Sequence, residues 1–282
     1  MVVRRRERYH AFTAMRKLEI TLSAAVILLT ACREAKPHAQ TPDQSPLVFE
    51  MRTFEKTRPG CGDHGNHAQA CVSFQATWPE MKGGAGEAAP KMNAALLAAL
   101  GFPEGAGRME SFGEEMIERW RVEHKGVVYA DSTWFERRTI QVLARRPEVW
   151  TFQLDRIGQT GQPLPFNERT YLNLSPRSGA PVSLRTLLET GAEARLAAVA
   201  EKQLRAAPGL ASEASLPLKD GVFALPEQFA LTSAGVVLAW SGDALRTPDA
   251  ARIEITIPWR DARDLVSASA VKPPSPDAEQ GF

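Results

Sequence analysis

The sequence predicts an α+β fold, with mixed, mainly antiparallel sheets packed against helices in two subdomains. Three observations carry this. Ile253, Ile255 and Ile257 alternate with Glu254 and Thr256, the period of a strand with one buried face. Residues 90–100, 109–123 and 192–207 instead repeat their apolar positions every three or four residues, as amphipathic helices do. Strand and helix patterns also follow one another without a regular βαβ repeat. The expected divisions are a signal segment at 1–32, a polar tether at 33–46, an N-terminal α+β subdomain at 47–148, a second subdomain at 149–266 and a disordered tail at 267–282.

Residues 1–14 are basic, and Met15, a candidate alternative start, opens a segment in which Arg16 and Lys17 precede an apolar run at 20–30. Such a run is too short for a permanent span and reads as a secretion signal. Leu29-Thr30-Ala31-Cys32 follows it directly and fits the lipobox of bacterial lipoproteins. Small residues admit the signal peptidase, and the sulfur of Cys32 takes the lipid that anchors the chain to a membrane. Arg33 stands where aspartate would hold a lipoprotein at the inner membrane. The expected location is therefore the outer membrane of a Gram-negative cell, facing the periplasm. Six of the 34 basic and two of the 33 acidic residues lie in 1–31, leaving 28 and 31, so the mature chain is slightly acidic. This balance offers no electrostatic footprint for nucleic acid. Residues 34–46, which include His38, are polar and proline-rich, as a tether is.

Residues 47–57 and 72–78 read as strands, the second ended by Pro79. Between them, Cys61, His64, His67 and Cys71 allow two readings. All four have atoms suited to zinc. Alternatively, Cys61 and Cys71 form a disulfide that closes the loop in an oxidising compartment, with both histidines exposed. Once Cys32 is lipidated these are the two remaining thiols, and their spacing is not that of a standard zinc finger. The disulfide is the reading taken, with no metal.

Helix 90–100 carries Met92, Leu96, Leu97 and Leu100 on one face; helix 109–123 carries Met109, Phe112, Met116, Ile117 and Trp120. Glu114, Glu115, Glu118, Arg119 and Arg121 lie on the opposite face of the second helix and read as solvated surface rather than acid–base machinery. His124 ends that helix, where a cation suits the dipole. Strands are expected at 127–129, 139–143 and 149–154, with a turn at 145–148 and a loop at 159–166. A helix starts at 184–188 and continues at 192–207 until Pro208-Gly209. Residues 228–232 and 236–240 form a hairpin about Ser233-Ala234-Gly235, strand 253–257 follows, and a short helix occupies 259–266.

This last stretch carries a resemblance. FALPEQFALTSAGVVLAW followed by ARIEITIPWRDARDLV resembles the end of the RsiV-like envelope domain of bacteria, in which an "f.lp.nF.lt..Gl.f" hairpin precedes "v.ipy.el..ll". Phe223, Leu225, Pro226, Phe229, Leu231, Thr232, Gly235, Ile257 and Pro258 fall on the pattern, with Trp259 for its aromatic. Asn173, Gly179, Val182 and Leu184 match its "yln.d..tG..l.l.dlf", and Asn93 its "iN..i" helix. The resemblance covers about 149–266 well and 48–124 loosely. It implies the extracellular half of a lysozyme-sensing anti-sigma factor, a domain also found beside peptidoglycan deacetylases and in lipoproteins. Gram-negative relatives carry a similar cysteine pair ahead of a strand, which implies the Cys61–Cys71 disulfide here. The chain departs from the family's "tGGAHp" segment, having Thr160-Gly161-Gln162-Pro163, so no role of that histidine carries over.

The sequence has no glycine-rich phosphate loop, HExxH or GxSxG motif. Of the histidines left after processing, His38 lies in the tether and His64 and His67 in the cysteine loop, leaving His124. The expected function is a non-catalytic envelope binding module for a wall-associated ligand, either peptidoglycan or a lysozyme-like protein. The alternative is an envelope hydrolase acting on glycan through carboxylates. No catalytic residue, ligand-binding residue or cofactor is assigned from the sequence.

Overall fold

The computed structural model describes residues 46–59, 71–125, 133–207, 217–219, 222–241 and 252–271. Five strands form the larger sheet in the order β1-β2-β3-β4-β5. They are β1 (Val48–Thr57), β2 (Val72–Lys82), β3 (Trp134–Arg145), β4 (Trp150–Gln159) and β5 (Phe166–Leu174). All neighbours are antiparallel except β2 and β3. A parallel pair needs a crossover, and here it contains α1 (Ala88–Ala99) and α2 (Gly107–Glu123). The chain continues through α3 (Leu184–Leu187) and α4 (Ala192–Ala206) to the small hairpin β6 (Leu218–Lys219) and β7 (Val222–Phe223). A second, antiparallel sheet then orders β10-β9-β8, made from β8 (Gln228–Leu231), β9 (Gly235–Ser241) and β10 (Arg252–Pro258). Two short helices close the described chain, α5 (Trp259–Ala262) and α6 (Ala268–Val271). The class is α+β, as the sequence predicts.

Side-chain alternation builds this into four layers. Met92, Leu96, Met109, Met116 and Trp120 of α1 and α2 pack on Phe74, Trp134, Ile140 and Phe152 of the larger sheet. Asn93 fixes the helix to the sheet: its side chain accepts from Met81 N at 2.7 Å and donates to Met81 O at 3.0 Å. The opposite face of the sheet meets Ala230, Val237 and Ala239 of the smaller sheet through Tyr171 and Leu143. The far face of the smaller sheet, with Phe229, Leu231, Val236, Leu238, Trp240, Ile255 and Ile257, receives Leu196, Ala200 and Leu204 of α4. In the final hairpin, Gly235 is required by close approach, because a Cβ there would overlap the carbonyl oxygen of Ile257.

Several boundaries differ from the sequence reading. Pro79 does not end β2, which runs on to Lys82. Beyond Thr77 this strand pairs with β1 alone, so a residue without an N–H is tolerated on the side that has lost β3. Residue 149, the expected division between subdomains, lies in the β3–β4 hairpin inside one sheet, and the helix-covered core reaches Leu174. The helices at 184 and 192 are separate elements; Leu188 is extended and bridges to Val266, and Gly191 caps α4 with φ +74°. The short helix at 259 stops at Ala262. Order also continues past Ser267, whose N–H donates to Leu187 O at 2.8 Å, and α6 buries Ala270. The polar character and prolines of 267–282 point to a tail in the sequence, but residues 268–271 fit against the core. The expected strand at 127–129 lies outside the described residues.

Candidate functional site

The site begins where α1 ends. Gly101 takes φ +86°, its N–H donates to Ala98 O at 2.9 Å, and Phe102 N–H donates to Leu97 O at 2.8 Å. This is a Schellman closure, for which glycine is the residue of choice. The carbonyl of Leu100 accepts instead from Nη1 of Arg138 on β3. A guanidinium is favoured there by the helix dipole. Its face lies over Phe74, Phe102 and Phe112, at 5.6, 5.0 and 4.7 Å from their ring centroids.

Strand register then sets a charged row. Arg138 pairs with Arg156 on β4, and Arg156 with Glu168 on β5; the next row is Ile140, Leu154 and Thr170. Two arginines directly opposite one another would repel. Glu136, two residues before Arg138 on the same face of β3, resolves this. Its Oε1 accepts from Nε of Arg138 at 2.7 Å and from Nε of Arg156 at 2.7 Å. Glu136 is 3% exposed, and a buried carboxylate requires such partners. Arg156 also reaches Glu168 Oε2 at 3.2 Å and lies 4.6 Å from the Phe166 centroid. Burial lowers the proton affinity of Arg156, but Glu136 and then Glu168 outweigh it and raise the pKa above its ordinary value. Above the row is a cavity of about 470 Å³, lined by Ala99, Leu100, Gly101, Leu154 and Thr170 with the two arginines and Glu168.

Two further polar clusters serve packing. Tyr171 seals the seam between the sheets: its N–H donates to Gln228 Oε1 at 2.7 Å and its hydroxyl to Glu254 Oε1 at 3.0 Å. Asn173 donates to Phe229 O at 2.8 Å beside it. Arg146 is buried, donates to Val271 O at 2.5 Å and Thr232 O at 3.1 Å, and lies 4.8 Å from the Trp259 ring centroid. Desolvation lowers its pKa.

The residues expected from sequence are spread widely. Cys32, His38, Cys61, His64 and His67 lie outside the described residues. Cys71 is disulfide-bonded and stands at the start of β2, its carbonyl accepting from Trp134 N at 2.8 Å. Among the described residues, no three or more His, Cys, Asp or Glu side chains converge as a metal site. His124 stacks on Trp120 at 4.8 Å and meets Trp134 edge-on. Gly161, in the segment that departs from the family pattern, takes φ +81° against Trp134, where a Cβ would collide with the indole. The surface glutamates of α2 make ion pairs, Glu114 with Lys56 and Glu115 with Arg108. The sequence reading missed the row of Glu136, Arg138, Arg156 and Glu168. Its signal is present: Glu136 and Arg138 share a strand face with Trp134 and Ile140, so both charges point into a core. Recognising it required β3 to begin at Trp134 rather than residue 139.

No family model matches the chain, and no curated protein does. Solved structures do. A member of the DUF3298 family from Bacteroides fragilis superposes with a TM-score of 0.58 at 15% identity, covering 82% of this chain and 97% of that one. The fold is that of the DUF3298 proteins. A second DUF3298 protein, from Pseudomonas aeruginosa PAO1, gives a TM-score of 0.50 at 18% identity, covering 80% and 97%. DUF3298 proteins are related to RsiV-like domains, and at these identities the link is one of fold alone.

Proposed function

We propose that the folded part is a binding module of the cell envelope that holds a wall-associated ligand without turning it over. In this reading Cys32 carries the lipid, residues 33–46 form the tether and the Cys61–Cys71 disulfide closes the loop before β2. The protein stands on the periplasmic side of the outer membrane. The observation that carries the ligand site is the cavity above Arg138, Arg156 and Glu168. Its volume, about 470 Å³, its floor at Leu154 and its few convergent polar groups suit a small ligand such as a wall sugar. A lysozyme-like protein would need a broad, standard-sized interface instead.

The hydrolase alternative asks for two carboxylates flanking a glycosidic bond, one of them giving a proton. The two carboxylates of the row both face arginines, and Glu136 sits behind its pair rather than opposite Glu168 across an open cleft. The test is to incubate the mature protein with peptidoglycan fragments and, separately, with lysozyme. Binding is followed by calorimetry and product by chromatography. Heat of binding to the fragments with no product supports the reading. Product release establishes an enzyme, and binding to lysozyme alone moves the partner from glycan to protein.

A further inference from the structure

The two acidic partners of Arg156 are unlike each other. Glu136 is almost wholly buried, and its Oε1 is 2.7 Å from Nε of Arg156 and 2.7 Å from Arg138. Glu168 has 57% of its side chain exposed and makes one longer contact, Oε2 to Nη1 at 3.2 Å. Exposed ion pairs of that kind contribute little. Glu136 therefore faces two guanidiniums alone, and the balancing charge comes from a weakly held rim residue.

Arg156 is prepared to accept a different anion. Its Nε is fixed by Glu136, its plane lies over Phe166, and 38% of its side chain reaches solvent. A planar fork held this way loses little freedom on binding a carboxylate, which is the geometry arginine recognises best. Arg138 is different. Its side chain is 10% exposed and is committed to Leu100 O, Glu136 and three phenylalanine rings, so it is a structural member of the row. Beside Glu168 on the same face of β5 stands the exposed hydroxyl of Thr170, with Leu154 beneath it. An apolar floor, a hydroxyl and a guanidinium together suit a hydroxylated ring that carries a carboxylate.

We propose that this cavity recognises a carboxylate-bearing sugar, with Arg156 as the carboxylate receptor and Glu168 as a resident competitor that the ligand displaces. The proposal rests on the wall-glycan reading above. The ligand exchanges one carboxylate for another on Arg156, so the charge on the guanidinium stays neutralised while the ring gains contacts with Leu154 and Thr170. Glu168 swings into solvent, where an exposed glutamate is well hydrated.

The test uses the mature protein in detergent and two probes that differ by one lactyl carboxylate, N-acetylmuramic acid and N-acetylglucosamine, titrated by calorimetry. The parent is expected to bind the muramic sugar roughly tenfold or more tightly, the scale of one charge-assisted pair. Arg156→Gln should reduce that affinity to the level of N-acetylglucosamine. Glu168→Gln, a change on the exposed rim, should tighten the muramic sugar several-fold relative to N-acetylglucosamine. Equal affinity for the two sugars, discrimination that survives Arg156→Gln, or no gain from Glu168→Gln overturns the proposal and leaves glycan binding standing. If neither sugar binds, the proposal falls. If intact peptidoglycan is not bound either, the reading beneath it falls too.

Discussion

Gly101 and Arg138 share one space: a Cβ on the glycine would lie 2.5 Å from Nη1 of the arginine. The bare backbone that ends α1 is also what lets the guanidinium reach the helix terminus. Gly101→Ala therefore has two costs. The residue must hold φ +86°, which costs about 1 kcal/mol for a residue with a Cβ. It must also push Arg138 from its place beside Glu136. We expect a loss of roughly 2–3 kcal/mol, read from the urea midpoint at unchanged slope. A loss of only about 1 kcal/mol, the backbone cost alone, would mean that the arginine has another way to lie.

Tyr171 should give the protein a recognisable alkaline limit. Burial first, then the charge and hydrogen bond of Glu254, raise its pKa above the ordinary 10.0 of a phenol. The unfolded chain ionises at the ordinary value while the folded chain keeps its proton. This contribution to stability is present below pH 10 and is lost as the pH rises through the raised folded value. Denaturation curves between pH 9 and 11 should fall more steeply for the parent than for Tyr171→Phe. Parallel curves would show that the hydroxyl is not sealed at the seam.

Arg146 is a buried cation held by carbonyls and a ring rather than by a carboxylate. Arg146→Ala leaves Val271 O without this donor and removes the packing over Trp259. A cost of about 2–3 kcal/mol is expected. The more specific sign is local: amides at 268–271 should exchange faster in the variant, while those of α1 keep their protection. Uniform loss across the fold would assign Arg146 a general packing role instead.

The cysteines divide between two expected fates. Cys32→Ala should move the protein from the detergent phase to the aqueous phase, and identical partitioning of variant and parent would end the anchor assignment. Non-reduced digests should contain a peptide linking Cys61 to Cys71. Free thiol at Cys61, or zinc retained through dialysis, would return the metal reading.

Much of the fold was legible because local periodicity and turn chemistry agreed with it. Met92, Leu96, Met109 and Met116 mark their helices, and Thr232 to Gly235 mark the hairpin, closed by Thr232 N–H to Gly235 O at 2.9 Å. The lengths of β3 and β4 were less legible. Their inner faces mix Trp134, Ile140 and Phe152 with Glu136, Arg138 and Arg156, which breaks the apolar alternation that defines a half-buried strand. The same residues make the candidate site, so it was hidden where the strands were. Charge pairing across β3, β4 and β5 is set by register, which a single sequence does not display. Pro79 misled for a related reason, since its tolerance depends on where β2 parts from β3.

The most direct test of the account is co-sedimentation of the mature protein with purified peptidoglycan sacculi, followed by chromatography of the same supernatant. The parent is expected to pellet with the sacculi, with no muropeptide or sugar appearing over hours of incubation. Muropeptides or sugars released into the supernatant, or a parent protein that remains there itself, would contradict it.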